Sequence, residues 1–227
     1  MPELPDLTAV TKLLADESRV ALLSLLLSGR FQTVHELAHA VKITDQTASY
    51  HLKRMQALEW VSSYKQGRSV YYHLASEQLA TLLENLLNIS PRKKINSFKK
   101  NQAFKELKAA RSCYSHLAGA LGVNFLDCLC QKNFVTFQHE QLALTPAGQL
   151  FFKDLGIDIN KLPSKGPLLK PCLDWTERRF HLAGTLGSAF FKECLRRQWL
   201  RYTPASRAVT LSWDGKLFFD SLNNPLV

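Results

Sequence analysis

The segment TDQTASYHLKRMQALEW, Thr44 to Trp60, has two faces. Thr44 or Asp45 is suited to cap a helix N-terminus, because a short side-chain oxygen can accept from the first free backbone N–H groups. Beyond it Ala48, Leu52 and Met55 recur at i, i+4 and i+7, which places them on one buried stripe. Gln46, Thr47, Ser49, Tyr50, Lys53 and Arg54 are left facing outward. Amides and hydroxyls stand beside cations on that outer face, an unusual density of directional hydrogen-bonding groups.

The flanking sequence supplies context. Upstream, TVHELAHAVKI sets Val34, Leu37, Ala38 and Val41 on one stripe behind a Thr33 cap. Earlier still, LTAVTKLLADESRVALLSLLLSG has helical spacing with a break near Asp16 to Ser18, and Gly29 suits its end. Downstream, WVSSYKQGRSVYYHLA reads as two strands around a KQGR turn. A short helix, a polar-faced helix and a basic-tipped hairpin make a winged helix-turn-helix. Such a helix enters the major groove of duplex DNA, where its amides and hydroxyls read base edges. Lys53, Arg54, Lys65 and Arg68 would neutralise phosphates, which positions the domain without specifying sequence.

ADESRVALLSLLLSG, TVHELAHAVKITDQTASYHLKRMQALEWV and KQGRSVYYHLA together resemble the ArsR-type winged-helix repressors over about residues 5–88. The resemblance implies a homodimer on an imperfectly palindromic double-stranded operator, released by an inducer that is often a soft metal or a thiol oxidant. It places the base-reading positions at Gln46, Thr47, Ser49 and Tyr50. The chain departs from the family in three places. ELAHAV lacks the cysteines that many metal sensors carry there, LATLLENLLN lacks their acid and histidine ligands, and no glycine comes after the second helix near Leu58 and Glu59.

SEQLATLLENLLNI is next along the chain, with Leu79, Leu82, Leu83 and Leu86 on a leucine-rich face that suits a dimer seam, or packing on the C-terminal half. Pro91 stops that helix. The net charge of +10 points to a polyanionic partner, but it is unevenly spread. Residues 1–90 hold eight Lys or Arg against nine acids, whereas eight basic residues and one acid, Glu106, lie between Arg92 and Arg111. The longest apolar run, VALLSLLL, is too short to span a bilayer, and no apolar leader opens the chain. Five cysteines, an odd number, argue against a disulfide framework and for a cytoplasmic protein.

The second half repeats itself. HLAGALGVNFL from His116 and HLAGTLGSAFF from His181 agree at seven of eleven positions, and LTPAGQLFFKDL from Leu144 and LSWDGKLFFDSL from Leu211 at six of twelve. The expected fold class is therefore mainly α with short β-hairpins: the winged domain at 1–90, a basic linker and helix at 91–110, and an α-rich domain at 111–227. That last domain contains two helix-hairpin-helix units, about 113–157 and 178–224, packed on each other. The copies could also be degenerate winged helices.

Helical spacing over QAFKELKAARSCYSHL puts Cys113 and His116 on one helix face, with Arg111 near enough to lower a thiol pKa. Cys172 stands before the second copy, so Cys113, His116, Cys172 and His181 could converge as a soft-metal site (cadmium, lead or zinc) or a redox pair. They could equally be buried thiols and structural histidines. Cys128 and Cys194 read as core. Trp175, Phe180, Phe190 and Phe191 could instead line an organic-ligand pocket with Arg178 or Arg179 as anion anchor, or pack as core. No Walker loop, metal-carboxylate cluster or nucleophile elbow is present, so a DNA-binding regulator is expected rather than an enzyme. An architectural or partner-binding protein without operator specificity is the remaining alternative.

Overall fold

Thr44 does cap a helix: its side chain accepts from Thr47 N, and α4 runs Asp45–Ala57 with Ala48, His51, Leu52 and Met55 buried. The computed structural model describes residues 4–92, 94–138, 141–164 and 166–223. Lys93 of the basic linker and Asn224, the expected end of the second repeat, lie outside them. The chain divides into two compact units, Met1–Asn85 with Pro204–Ser206 and Leu86–Thr203 with Arg207–Val227. The division falls inside one helix, α5 (Glu77–Ile89).

The first unit is built from α1 (Leu7–Leu14), α2 (Glu17–Leu26), β1 (Gln32–Thr33), α3 (Val34–Val41), α4, β2 (Val61–Gln66) and β3 (Ser69–Leu74), and then the start of α5. The expected break at Asp16 is a cap, its carboxylate accepting from Arg19 N at 2.9 Å. Thr33 and Glu36 close a capping box on α3. The three strands pair antiparallel in the order β1-β3-β2. Gln66 pairs with Ser69, and Gly67 takes φ +59° at the first central position, where a two-residue II′ turn wants glycine. Leu22, Leu23, Leu26, Leu37, Leu52, Met55 and Leu74 form the core.

α4 ends without glycine. Glu59 adopts φ +56°, while Glu59 N donates to Gln56 O and Trp60 N to Met55 O, a Schellman closure with Trp60 buried behind it. Burial of Trp60 holds the backbone in the left-handed region.

The second unit runs twice through one order, and it departs from the expected helical start of each copy. Helix α6 (Phe98–Ala109) stops before Arg111, and the chain then folds into a hairpin of β4 (Arg111–Cys113) and β5 (His116–Ala118). Helix α7 (Gly119–Gln131), hairpin β6 (Val135–Gln138) with β7 (Gln141–Leu144), and helix α8 (Pro146–Asp154) complete the first copy. A 3-10 turn at Ile159–Lys161 leads to hairpin β8 (Lys170–Leu173) with β9 (Phe180–Ala183). Then come α9 (Gly184–Arg196), hairpin β10 (Leu200–Tyr202) with β11 (Val209–Leu211), and α10 (Trp213–Asn223).

The copies interlock. Helix α7 packs on β9 and α9 on β5, with β5 beside β9. Equivalent residues Phe125 and Phe190 stack with centroids 3.9 Å apart and planes 5° off parallel. Both lie in one core with Leu129, Phe152, Leu186, Phe191, Cys194, Leu200 and Phe219. A Cβ on Gly119 would lie 2.8 Å from Lys108 O, and one on its counterpart Gly184 2.7 Å from Leu168 O. Both glycines also have positive φ, so the same close approach recurs at the head of each helix.

Replacing Glu59 with glycine should relieve the left-handed cost of a Cβ, about 1 kcal/mol. The expected outcome is a higher midpoint in thermal unfolding of the full chain, with no change in the shape of the far-ultraviolet dichroism spectrum.

Candidate functional site

Two groups of side chains stand out, one in each unit. In the first, Gln46, Thr47, Tyr50, Lys53 and Arg54 of α4 are exposed and Ser49 is half-buried. Arg54 Nη1 donates to Tyr50 Oη at 3.2 Å, and its guanidinium lies 5.7 Å from the ring centre, so the two act as one amphipathic surface. Gln56 Nε2 donates to Ser63 Oγ at 2.9 Å, tying the end of α4 to the wing. Lys65 and Arg68 are exposed at the tip of the β2–β3 hairpin. His51, by contrast, is buried with Nε2 3.9 Å from Asp16 Oδ1. It supports the helix from behind.

In the second unit Cys113, His116, Cys172 and His181 converge: one ligand atom from each lies within 4.8 Å of every other. The local geometry differs from a shared helix face. Cys113 and His116 are cross-strand partners on the β4–β5 hairpin, and Cys172 and His181 are cross-strand partners on β8–β9. Each copy thus delivers one thiol and one imidazole. The two sulfurs are 4.0 Å apart and the two imidazoles stack at 5.0 Å. Around a tetrahedral zinc with bonds of about 2.3 Å, two sulfurs would sit about 3.8 Å apart. Two thiols and two imidazoles form a donor set suited to a tetrahedral divalent ion. Among the described residues, neither ring nitrogen of buried His181 makes a hydrogen bond.

A regulatory-protein model described as the bacterial arsR family matches residues 16–63. The uncharacterized HTH-type transcriptional regulator YdfF of Bacillus subtilis is 36% identical over 217 residues, 95% of this chain and 96% of that one. This chain belongs to the arsR family. The cadmium resistance transcriptional regulatory protein CadC of Listeria innocua is 29% identical over 80 residues, 35% of this chain and 67% of its own. A homodimeric winged helix-turn-helix DNA-binding domain from Mycobacterium bovis is similar at 26% identity, with a TM-score of 0.33. That alignment covers 38% of this chain and 86% of the other. As an arsR-family member the chain is a transcriptional regulator with a DNA-binding winged helix. Among the described residues no helix is long and apolar enough to cross a membrane.

Arg111 is fully buried and paired with Asp174, with Nη2 2.9 Å from Oδ2. Phe190 and Phe191 are core, Arg179 pairs with Asp127 at 2.6 Å, and Arg178 donates to Asn88 O. Of the other aromatics considered for an organic-ligand pocket, Trp175 is half-buried and Phe180 exposed. Cys128 and Cys194 are core thiols whose pKa burial pushes up. Of the leucines expected at a dimer seam, Leu83 is buried in its own chain, Leu82 is exposed, and Leu79 and Leu86 are half-buried.

Asp174 is the residue that sequence reasoning passed over. Burial works to raise its carboxyl, but Arg111, Thr176, Gly119 N–H and His181 together hold it below the ordinary carboxylate range. Its only sequence signal is position: an acid two residues beyond a cysteine, in a connection that is longer in the second copy. His181 is held well below the ordinary histidine value by burial, His116 and the cations Arg111 and Arg207, against the pull of Asp174. It is therefore neutral at pH 7, the form a metal ligand needs.

With metal withheld, the unfolded chain binds a proton at this histidine near pH 6.5 and the folded chain does not. The unfolded state then holds more protons, so stability should fall as the pH drops below that value. Unfolding midpoints in chelator from about pH 7.5 to about 5.5 should decline, and His181→Asn should flatten the decline.

Proposed function

We propose that this chain is a homodimeric repressor whose α4 and β2–β3 hairpin hold an operator, and that a soft divalent metal ion (cadmium, lead or zinc) releases it. The inducer is held by Cys113, His116, Cys172 and His181. The observation that carries the metal reading is the convergence of the four side chains from two hairpins in separate copies. CadC, a relative named for cadmium resistance, supports it. Dimerisation is supported by apolar surface left open on α5 at Leu82 and Ile89 and near the N-terminus at Leu4 and Leu7, and by the pairing that two half-sites require.

On the DNA face, Gln46, Thr47, Ser49 and Tyr50 read bases, while Lys53, Arg54, Lys65 and Arg68 meet phosphates. The experiment is fluorescence anisotropy on the duplex upstream of the chain's own gene, titrated with zinc, cadmium and lead. Metal should release wild type; Cys172→Ser should bind the duplex equally well and resist release. Unaltered release from that variant would remove the cluster from the account.

Arg68→Ala should weaken specific and random duplexes alike and reduce the salt slope by about 1. Ser49→Ala should change the ranking among operator variants at nearly constant affinity for random duplex. Equal, uniform losses in both variants would contradict this division of labour.

A second reading rests on the 4.0 Å separation of the Cys113 and Cys172 sulfurs. A peroxide could oxidise both thiols to a disulfide, each losing a proton and an electron as the peroxide is reduced to two waters. Peroxide-driven release with a mass loss of two hydrogens and no metal dependence would favour it over the metal.

A further inference from the structure

Asp174 is fully buried and divides its oxygens between two tasks. Oδ1 accepts from Thr176 N at 2.9 Å, Thr176 Oγ1 at 2.6 Å and Glu177 N at 3.1 Å, which closes its own loop. Oδ2 turns toward the first copy, accepting from Gly119 N at 2.7 Å and Arg111 Nη2 at 2.9 Å. The same Oδ2 lies 3.5 Å from Nδ1 of His181. Helix α7 has no side-chain cap of its own, so this carboxylate also sits at an uncapped N-terminus, where negative charge is favoured.

Resting on the metal reading above, we infer that Asp174 is the positioning residue of the centre: its Oδ2 takes the Nδ1 side of His181 and leaves the Nε2 lone pair as the ligand atom. An imidazole has two nitrogens, and the one facing a carboxylate carries the hydrogen while the other keeps its lone pair. Held by five donors from four residues, the carboxylate cannot swing inward to become a ligand itself. Arg111 makes it tenable in a dry interior, where an uncompensated carboxylate would be expensive.

The two copies differ here. Cys113 and His116 are joined by a two-residue turn, Tyr114 and Ser115, whereas residues 173–180 separate Cys172 from His181. The longer connection is what introduces Asp174. The second copy therefore supplies Asp174 beside Cys172 and His181, while Arg111 and Gly119 at the start of the first hold its Oδ2.

The test uses the full chain with cobalt(II) as an optical probe under anaerobic conditions. Wild type should give the intense visible bands of a tetrahedral site with thiolate-to-cobalt charge transfer. In the paired variant Arg111→Met with Asp174→Asn both charges leave together, so neither is stranded. Its cobalt affinity should fall roughly 10- to 100-fold with altered visible bands and retained helical dichroism. Thr176→Ala removes one bond to Oδ1 and the 3.2 Å bond that Arg111 Nη1 donates to Thr176 Oγ1, but leaves both Oδ2 contacts in place; it should lower the unfolding midpoint while leaving cobalt affinity unchanged. Zinc-loaded wild type, labelled with nitrogen-15 at histidine, gives a readout that needs no variant: His181 should be bound through Nε2 with Nδ1 protonated. Binding through Nδ1, an unchanged cobalt spectrum in the paired variant, or equal loss in Thr176→Ala would each overturn the inference. A wild type with no tetrahedral cobalt spectrum would instead bring down the metal reading itself.

Discussion

The second unit depends on two phenyl rings lying face to face. Phe125 and Phe190 hold the same position in the two copies and stack at 3.9 Å where the copies meet, α7 on β9 and α9 on β5. Neither α7 nor α9 could hide its apolar face alone, and each leans on the other copy's strand. Residues at this reciprocal contact meet their counterparts. His116 meets His181 for this reason, and the thiol paired with each comes along.

Much of the first unit could be read from residue spacing because its physics is local. Caps at Asp16, Thr33 and Thr44, an apolar stripe at Ala48, Leu52 and Met55, and a glycine at Gly67 each act within a few residues. The β4–β5 hairpin was hidden because RSCYSHLA has no Gly, Pro or Asn at its turn and continues the spacing of α6. Tyr114 takes φ +58° there, a conformation that its residue type does not announce. The four-residue cluster was legible as a set of residue types but not as a geometry, since cross-strand pairing, not helical spacing, joins each cysteine to its histidine. Asp174 lay beyond reach, because its partners Arg111 and Gly119 are distant in sequence.

In the winged unit overall charge says little about where the exposed cations stand. Residues 1–90 are nearly balanced, yet Lys53, Arg54, Lys65 and Arg68 are all exposed on α4 and the wing. Placement, not excess, gives such a face its sign. The cations that make the chain basic lie elsewhere, including Lys94, Lys99, Lys100 and Lys105, which remain exposed on and before α6.

Each hairpin taken singly offers a pair of donors, and a two-toothed chelator grips an ion feebly. Bringing two such pairs together gives four donor atoms with no new kind of residue. In that sense the recurrence of one short hairpin, each with a thiol and an imidazole, is what assembles the four donors. A truncated chain that kept either copy alone would offer one thiol and one imidazole, half of the four-donor set.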